Sequence, residues 1–306
     1  MVREAVASVL AQSYWPIEVI IVDDGSTDTT PAQLVQIRSC RPELIQVLRQ
    51  PNCGPGPARN TGLSIASGEF IQYLDSDDLL EPTKVEKQVA ALQQHPEAGV
   101  CYCITMRRDP KTGEMKPWAR TAEEITDLFP SFLPKRGWAT LTPLWRRSVC
   151  EQIGPWGNFR VLEDWDHDLR AGMLGVKPVH VAEPLCTVQD HGDQRASGMN
   201  TGFTPDLTHE FFRAHESVWT HMKSYRLTDW GYVQRFSRTM FWVARMCGSF
   251  GLEKDAETAL RYVDEMTEVN GQPKVTRHFR LARSLLGWRA ASVASERLRD
   301  LFTASA

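Results

Sequence analysis

Two short β-branched runs, each ending on a cluster of aspartates, constrain this chain more than any other feature. Glu18-Val19-Ile20-Ile21-Val22 stops at Asp23-Asp24-Gly25-Ser26, and Phe70-Ile71-Gln72-Tyr73-Leu74 stops at Asp75-Ser76-Asp77-Asp78. An apolar run of this length bounded by turn residues reads as a buried strand entering a polar loop. The segments around them change period. Residues 4–12 place Ala5, Val9 and Leu10 at helical spacing. Thr29-Thr30-Pro31 opens a second helix, with threonine as cap and proline in the first turn. Residues 45–48 form another short strand, the loop Asn52-Cys53-Gly54-Pro55-Gly56-Pro57 follows, and helical spacing resumes over 58–66. Pro82 starts a helix that runs to about Gln94, and 100–106 is again a strand. This alternation predicts an α/β fold: a Rossmann-like, mostly parallel sheet with helices on both faces. Ligands of such sheets sit at the carboxyl ends of the strands, which is where both aspartate clusters fall.

After about Gly198 the strand-like runs give way to helical stretches rich in Trp, Phe and Arg. The expected division is an α/β domain over 1–198 and a helical C-terminal region over 199–306. Hydrophobic residues make up 42% and charged residues 24%, so the chain can bury a core. A formal net charge of -3 gives no reason to expect a nucleic-acid partner. Cys40, Cys53, Cys101, Cys103, Cys150, Cys186 and Cys247 are odd in number and scattered, which argues for reduced thiols rather than a disulfide framework or zinc site. No apolar run reaches the roughly 18 residues of a membrane span, and Met1-Val2-Arg3-Glu4 lacks a signal-peptide core. A cytoplasmic location is the expectation.

Four segments could carry chemistry, and each has a plainer explanation. Asp75-Ser76-Asp77-Asp78 can present carboxylate oxygens to one hard cation that also takes diphosphate oxygens; the same residues would serve as a polar turn capping the helix near Pro82. Asp23-Asp24-Gly25-Ser26-Thr27-Asp28 could accept from a ribose or a base N–H, or simply turn the chain at Gly25. Arg59, in Ala58-Arg59-Asn60-Thr61-Gly62, could pair with phosphate or lie on the surface; the segment is no P-loop. In Glu163-Asp164-Trp165-Asp166-His167-Asp168-Leu169-Arg170, Leu162, Trp165 and Leu169 share a helical face and anchor the segment. Glu163 and Asp164 suit a first-turn dipole, and Asp166 is spaced to pair with Arg170.

Taken in order, Ile20 to Asp28, Ala58 to Gly62, Gly68 to Asp78 and Glu163-Asp164-Trp165 resemble glycosyltransferase family 2, whose members have the GT-A fold. The resemblance covers about residues 1–198. It implies transfer of a sugar, with inversion, from a nucleotide-sugar donor (a UDP-sugar) to an acceptor hydroxyl, in cell-surface polysaccharide or glycolipid synthesis. Asp23, Asp24, Arg59, Asp75 and Ser76 would line the donor site, Asp24 at the nucleobase and Asp75 on the ribose side. Asp77 would hold Mg2+ or Mn2+, with His191 of Asp190-His191-Gly192-Asp193 as a second metal-side candidate. Asp164 would be the general base, and Glu163 and Trp165 would stand on the acceptor side with Thr142 to Arg147 and Ile153 to Trp156. The acceptor would be a glycan or a lipid-linked glycan. Relatives begin with a β-branched strand that is central to the sheet; here the sequence starts within the helix after it, so the sheet is expected without that strand.

Two other classes compete. A sugar-phosphate nucleotidyltransferase would carry a glycine-rich, arginine-containing loop and a following lysine near the start, and none is seen. A non-catalytic nucleotide-sugar-binding or scaffold protein could keep the fold without the chemistry. The tail has one more feature. Lys274, Arg277, Arg280, Arg283, Arg289, Arg297 and Arg299 outnumber Glu296 and Asp300, and Val275, Phe279, Ala282 and Leu286 share one helical face. Such a helix could lie peripherally on the inner face of an anionic membrane with Trp288 at the headgroups, or pack its stripe on the helices before it.

Overall fold

The first strand, β1 (Val19–Asp23), pairs in parallel with β2 (Ile45–Arg49), from Val19 opposite Ile45 to Asp23 opposite Arg49. This computed structural model describes residues 1–109, 111–189, 202–269 and 276–303. Helix α1 (Val2–Leu10) and helix α2 (Thr30–Cys40) pack on the pair, with Val6, Val19, Leu34, Ile37 and Ile45 forming a buried cluster. Thr29 takes the N-cap position of α2 without a side-chain capping bond; Asp28 Oδ1 instead accepts from Thr30 N–H at 2.9 Å.

Helix α3 (Pro55–Ile65) leads to a larger sheet made of β3 (Phe70–Gln72), β4 (Leu79–Leu80), β5 (Ala98–Arg108), β6 (Met115–Pro117), β7 (Leu144–Arg146) and β8 (Lys177–Gln189). Its order is β3-β7-β5-β8-β4, with β6 beside β5. Where a mostly parallel sheet is expected, this one is mixed: β5 and β8 run parallel, and β7 and β6 on β5, β4 on β8 and β3 on β7 all pair antiparallel. Helix α4 (Lys84–Gln94) covers the sheet through Val89 and Leu92, against Ala98, Cys101 and Leu144. Cys101 and Cys103 are both fully buried, and the seven cysteines are free thiols.

A cavity of about 760 Å³ lies between β1 and β3, lined by every residue from Glu18 to Val22 and from Phe70 to Ser76. Successive strand residues point to opposite faces, so a cavity lined by consecutive residues borders a strand edge. The carboxyl ends of β1 and β3 lead into the two aspartate clusters.

Helix α5 (Arg147–Ile153) and helix α6 (Glu163–Met173) complete the first compact unit, which spans Met1–Arg195. Leu162, just ahead of α6, has a left-handed backbone (φ 61°); a branched side chain there costs roughly 1–2 kcal/mol. The second unit, Ala196–Ala306, holds α7 (Pro205–Ser224), α8 (Trp230–Ser249), α9 (Glu253–Glu268) and α10 (Arg277–Thr303). Its core includes Phe212, Trp219, Phe236 and Val263. Helix α10 breaks at Gly287 (φ 76°, ψ 170°). Of the stripe expected on it, Phe279 is buried against Phe241, and Leu286 is exposed together with Leu281 and Leu285; Val275 lies outside the described residues. No described helix is long and apolar enough to cross a membrane.

Candidate active site

Asp23 and Asp24 act first as loop ties. Asp23 is buried and its Oδ1 accepts from Ser26 N–H at 2.8 Å. Asp24 accepts from Gln50 Nε2 (2.8 Å), Cys53 N–H (3.0 Å) and Gly54 N–H (2.7 Å), so both its oxygens hold the loop that starts α3. Gly25 is required here: its φ is 78°, and a Cβ would lie 2.8 Å from the Asn52 nitrogen. At the second residue of α3, Gly56 lets the helix approach the 156–157 segment, where a Cβ would meet the Gly157 carbonyl oxygen at 2.2 Å. That approach brings Asn60 within hydrogen-bonding reach of both the N–H and the carbonyl of Trp156.

Arg59, on the same turn, is the centre of the site. Its guanidinium donates to Asp75 Oδ1 at 2.9 Å and to Glu163 Oε1 at 2.8 Å, and lies 4.5 Å over the Trp156 ring. Burial alone would weaken its charge, but the two carboxylates outweigh it and hold Arg59 protonated above the usual arginine range. Arg59 thus spans from the loop after β3 to the first turn of α6.

The loop Asp75-Ser76-Asp77-Asp78 closes on itself, with Asp78 N–H donating to the Asp75 carbonyl at 3.2 Å. Ser76 is exposed, and Asp75 and Asp77 are half-buried. Asp78 is buried and accepts from Gln189 N–H at 3.1 Å. Burial first, and then the charges of Asp75 and Asp77, push its carboxyl up to about 8, against the opposing Gln189 hydrogen bond. The loop therefore concentrates negative charge that a cation would offset. Among the described residues no three His, Cys, Asp or Glu side chains are arranged as a metal site. A divalent ion shared with a diphosphate needs only one or two carboxylates from the protein, and Asp75 and Asp77 fit that donor set. His191 lies outside the described residues.

On α6 the acidic residues are answered by arginines. Glu163 is buried against Arg59; burial, then the neighbouring charge of Asp164, raise its carboxyl to about 7, while Arg59 pulls the other way. Asp164 is 30% exposed, and its Oδ2 accepts from Arg136 Nη1 at 2.6 Å. Its Oδ1 accepts from Trp165 N–H at 2.7 Å. Asp168 is buried and accepts from Arg136 Nε (2.5 Å) and Trp138 Nε1 (2.7 Å). Burial would raise its carboxyl, but the Arg136 charge holds it below the usual range. Asp166 pairs with Arg170 at 2.9 Å, as its spacing predicts. Trp165 is buried and donates its ring N–H to the Phe132 carbonyl, so it anchors the helix. His167, with its pKa lowered by burial, stacks on Trp156 at 4.0 Å. Of the segments expected on the acceptor side, Thr142, Leu144 and Trp145 are core residues, and Trp156 packs beneath Arg59.

Sequence reasoning missed Arg136, Trp138 and Asp168. Arg136 and Trp138 lie in an aperiodic stretch. The one available signal was the i, i+4 spacing of Asp164 and Asp168, which puts both on one helical face.

The glycosyl transferase family 2 model matches residues 1–154 of this chain. An uncharacterized glycosyltransferase of Nostoc sp. is 40% identical over 156 residues, 49% of this chain and 48% of that protein. The succinoglycan biosynthesis protein ExoO of Rhizobium meliloti is 44% identical over 85 residues, 28% of this chain and 24% of ExoO. The matched stretches thus span about half the length of the first relative and a quarter of the second. Among solved structures, residues 1–349 of S. aureus TarS in complex with UDP-GlcNAc superpose with a TM-score of 0.70 at 17% identity, covering 97% of this chain and 88% of that one. The mannosyltransferase PcManGT of Pyrobaculum calidifontis, in complex with GDP-Man and Mn2+, gives 0.53 at 14% identity, covering 96% and 81%. The α/β fold is that of these GT-A enzymes.

Proposed function

Because the chain belongs to glycosyl transferase family 2, we propose that it transfers a sugar from a nucleotide-sugar donor to an acceptor hydroxyl with inversion. The observation that carries this reading is the span of Arg59, which ties Asp75, at the end of β3, to Glu163, next to Asp164. The charge-rich loop and the half-exposed carboxylate of Asp164 belong to one site, as a displacement between donor and acceptor requires.

Asp164 takes the acceptor O–H proton while the acceptor oxygen bonds to the anomeric carbon from the face opposite the leaving group. The bond from that carbon to the diphosphate oxygen breaks, and the nucleoside diphosphate departs with the electron pair. Mg2+ or Mn2+ held by Asp75 and Asp77 would supply positive charge to the diphosphate. Asp24 keeps the loop ahead of α3 in shape for the base, and Arg59 fixes the distance between the two halves of the site. Two properties of the acidic pair point in opposite directions. Glu163, raised to about 7, is matched in basicity to a proton acceptor, but it is buried and bonded to Arg59. Asp164 is the one with an open side chain, and access decides for it.

A UDP-sugar donor is supported by the UDP-GlcNAc complex of TarS, and a polysaccharide acceptor by the name of ExoO; each is a property of that protein, carried here as part of the proposal. The test is nucleotide release from a panel of UDP-glucose, UDP-galactose, UDP-GlcNAc and GDP-mannose with Mn2+. Asp164→Asn should lower turnover by about 10²-fold with nucleotide binding retained. Loss in Glu163→Gln but not in Asp164→Asn would move the proton acceptor to Glu163. Binding without release of nucleotide from any donor would favour a non-catalytic binding protein.

A further inference from the structure

Arg136 belongs to no strand or helix, yet it holds the carboxylate assigned to proton transfer. Its side chain is 12% exposed, and its fork reaches two carboxylates on one face of α6: Nη1 to Asp164 Oδ2 at 2.6 Å and Nε to Asp168 Oδ2 at 2.5 Å. Nη1 also donates to Thr140 Oγ1 at 3.3 Å. The Asp168 end is locked: that carboxylate is 1% exposed, and the same oxygen accepts from Trp138 Nε1 at 2.7 Å. Trp138 is itself buried between Phe132 and Trp145, with ring centroids 4.9 and 6.2 Å away. A chain of buried groups therefore fixes one side of the guanidinium and presents the other to Asp164.

We propose that Arg136 is a positioning residue for Asp164, setting the plane of its carboxylate. The inference rests on Asp164 being the proton acceptor. Neutralising the buried Asp168 would occupy only one edge of the guanidinium; the contact to a half-exposed second carboxylate is what a purely structural ion pair does not need. With Oδ2 held by Arg136 and Oδ1 by Trp165 N–H, both oxygens are fixed in direction, and each retains a second lone pair. The other charged or titratable groups facing this pair are Glu163, His167 and Asp168 on α6 and Arg59 on α3. Arg59 is engaged by Glu163 and Asp75, which leaves Arg136 as the cation bonded to Asp164 among the described residues. A lysine can carry the charge but not the planar two-pronged reach.

The experiment is a double-mutant cycle on nucleotide release, using whichever sugar nucleotide of the panel is turned over fastest. Arg136→Lys should lower kcat by about 10-fold, less than the roughly 10²-fold or more of losing the acid–base group itself, with the KM for the sugar nucleotide and calorimetric binding of the free nucleoside diphosphate unchanged. In an Asp164→Asn background the same substitution should cost nothing further, because the group it positions is gone. An equal loss in both backgrounds, or a loss carried by KM, would overturn the proposal and leave Arg136 as packing. Should Arg136→Lys fail to fold, Thr140→Val, which removes a hydroxyl partner of the same Nη1 prong while keeping the side chain's size, replaces it in the same cycle. Asp164→Asn alone at full activity would instead remove the reading of Asp164 itself.

Discussion

The loop after β3 and the first turns of α6 are both crowded with carboxylates, and they treat that charge in opposite ways. On α6 every acidic side chain from 163 to 168 meets an arginine: Glu163 meets Arg59, Asp164 and Asp168 share Arg136, and Asp166 takes Arg170. Neutralised in this way, the helix can be buried nearly all round, and Asp168 is held below the usual carboxylate range. In the loop, Arg59 reaches Asp75 with the half of its fork that Glu163 leaves, and Asp78 is pushed up to about 8 by burial and by its neighbours' charges. A helix that must be buried has its charge cancelled from within. A loop at the end of a strand whose Asp75 shares its arginine with another carboxylate can take further positive charge from a ligand outside.

The strongest way to break that contrast is Asp77→Ala. If the loop's charge serves a cation and a diphosphate, the substitution should abolish metal-dependent nucleotide release, a loss of about 10³-fold or more given that the metal contributes several kcal/mol. The melting temperature should hold, and excess EDTA should reproduce the loss in the unsubstituted protein. Undiminished release in EDTA would show that the loop is only a turn.

The same logic inverted applies to Asp168→Asn. Here the charge is internal and paired, so removing it leaves Arg136 buried with one partner fewer, and breaking a buried pair costs about 3–5 kcal/mol. Denaturant unfolding at neutral pH should show a fall in midpoint with the slope unchanged. A cost below about 1 kcal/mol, the level of an exposed pair, would mean that α6 does not depend on its arginines.

How much of this contrast could be read from the sequence follows from the range of each interaction. The strand at 18–22 and the helix from 58 were legible because periodicity is local, and Asp166 with Arg170 because the partners are one helical turn apart. Trp165 and Leu169 were legible as anchors for the same reason, and both are buried. The carboxylates could be named as candidates from residue type and order. Their pairing could not: Arg59 meets a glutamate 104 residues away, and Arg136 meets Asp164 across 28 residues from a stretch with no period. Asp24 illustrates the converse. Its place after β1 was legible, but the three hydrogen bonds it spends on the loop at 50–54 depend on β2 and α3 being folded beside it.

The finest test of the comparison lies at Glu163, whose carboxyl is raised although it meets an arginine. It shares Arg59 with Asp75 and sits beside Asp164, and with its burial this raises its carboxyl from 4.5 to about 7. A carboxyl whose folded pKa is raised binds its proton more tightly in the native state. Its favourable contribution is therefore complete below about 4.5 and is lost as pH climbs through about 7. Glutamine removes that titration while keeping an oxygen to accept from Arg59. Whatever fixed cost Glu163→Gln carries, the stability of the variant relative to the parent should improve as pH rises from 5 to 7. The slope is at most about 1.4 kcal/mol per pH unit, for a total of about 1 to 2 kcal/mol. Above about 7 the difference should level off. Urea unfolding at half-unit steps of pH, in EDTA to exclude any cation in the neighbouring loop, reads the difference directly. A difference that is flat across this range, or that grows in the parent's favour, would mean that Arg59 satisfies Glu163 in full. The helix cluster would then be compensated at every position.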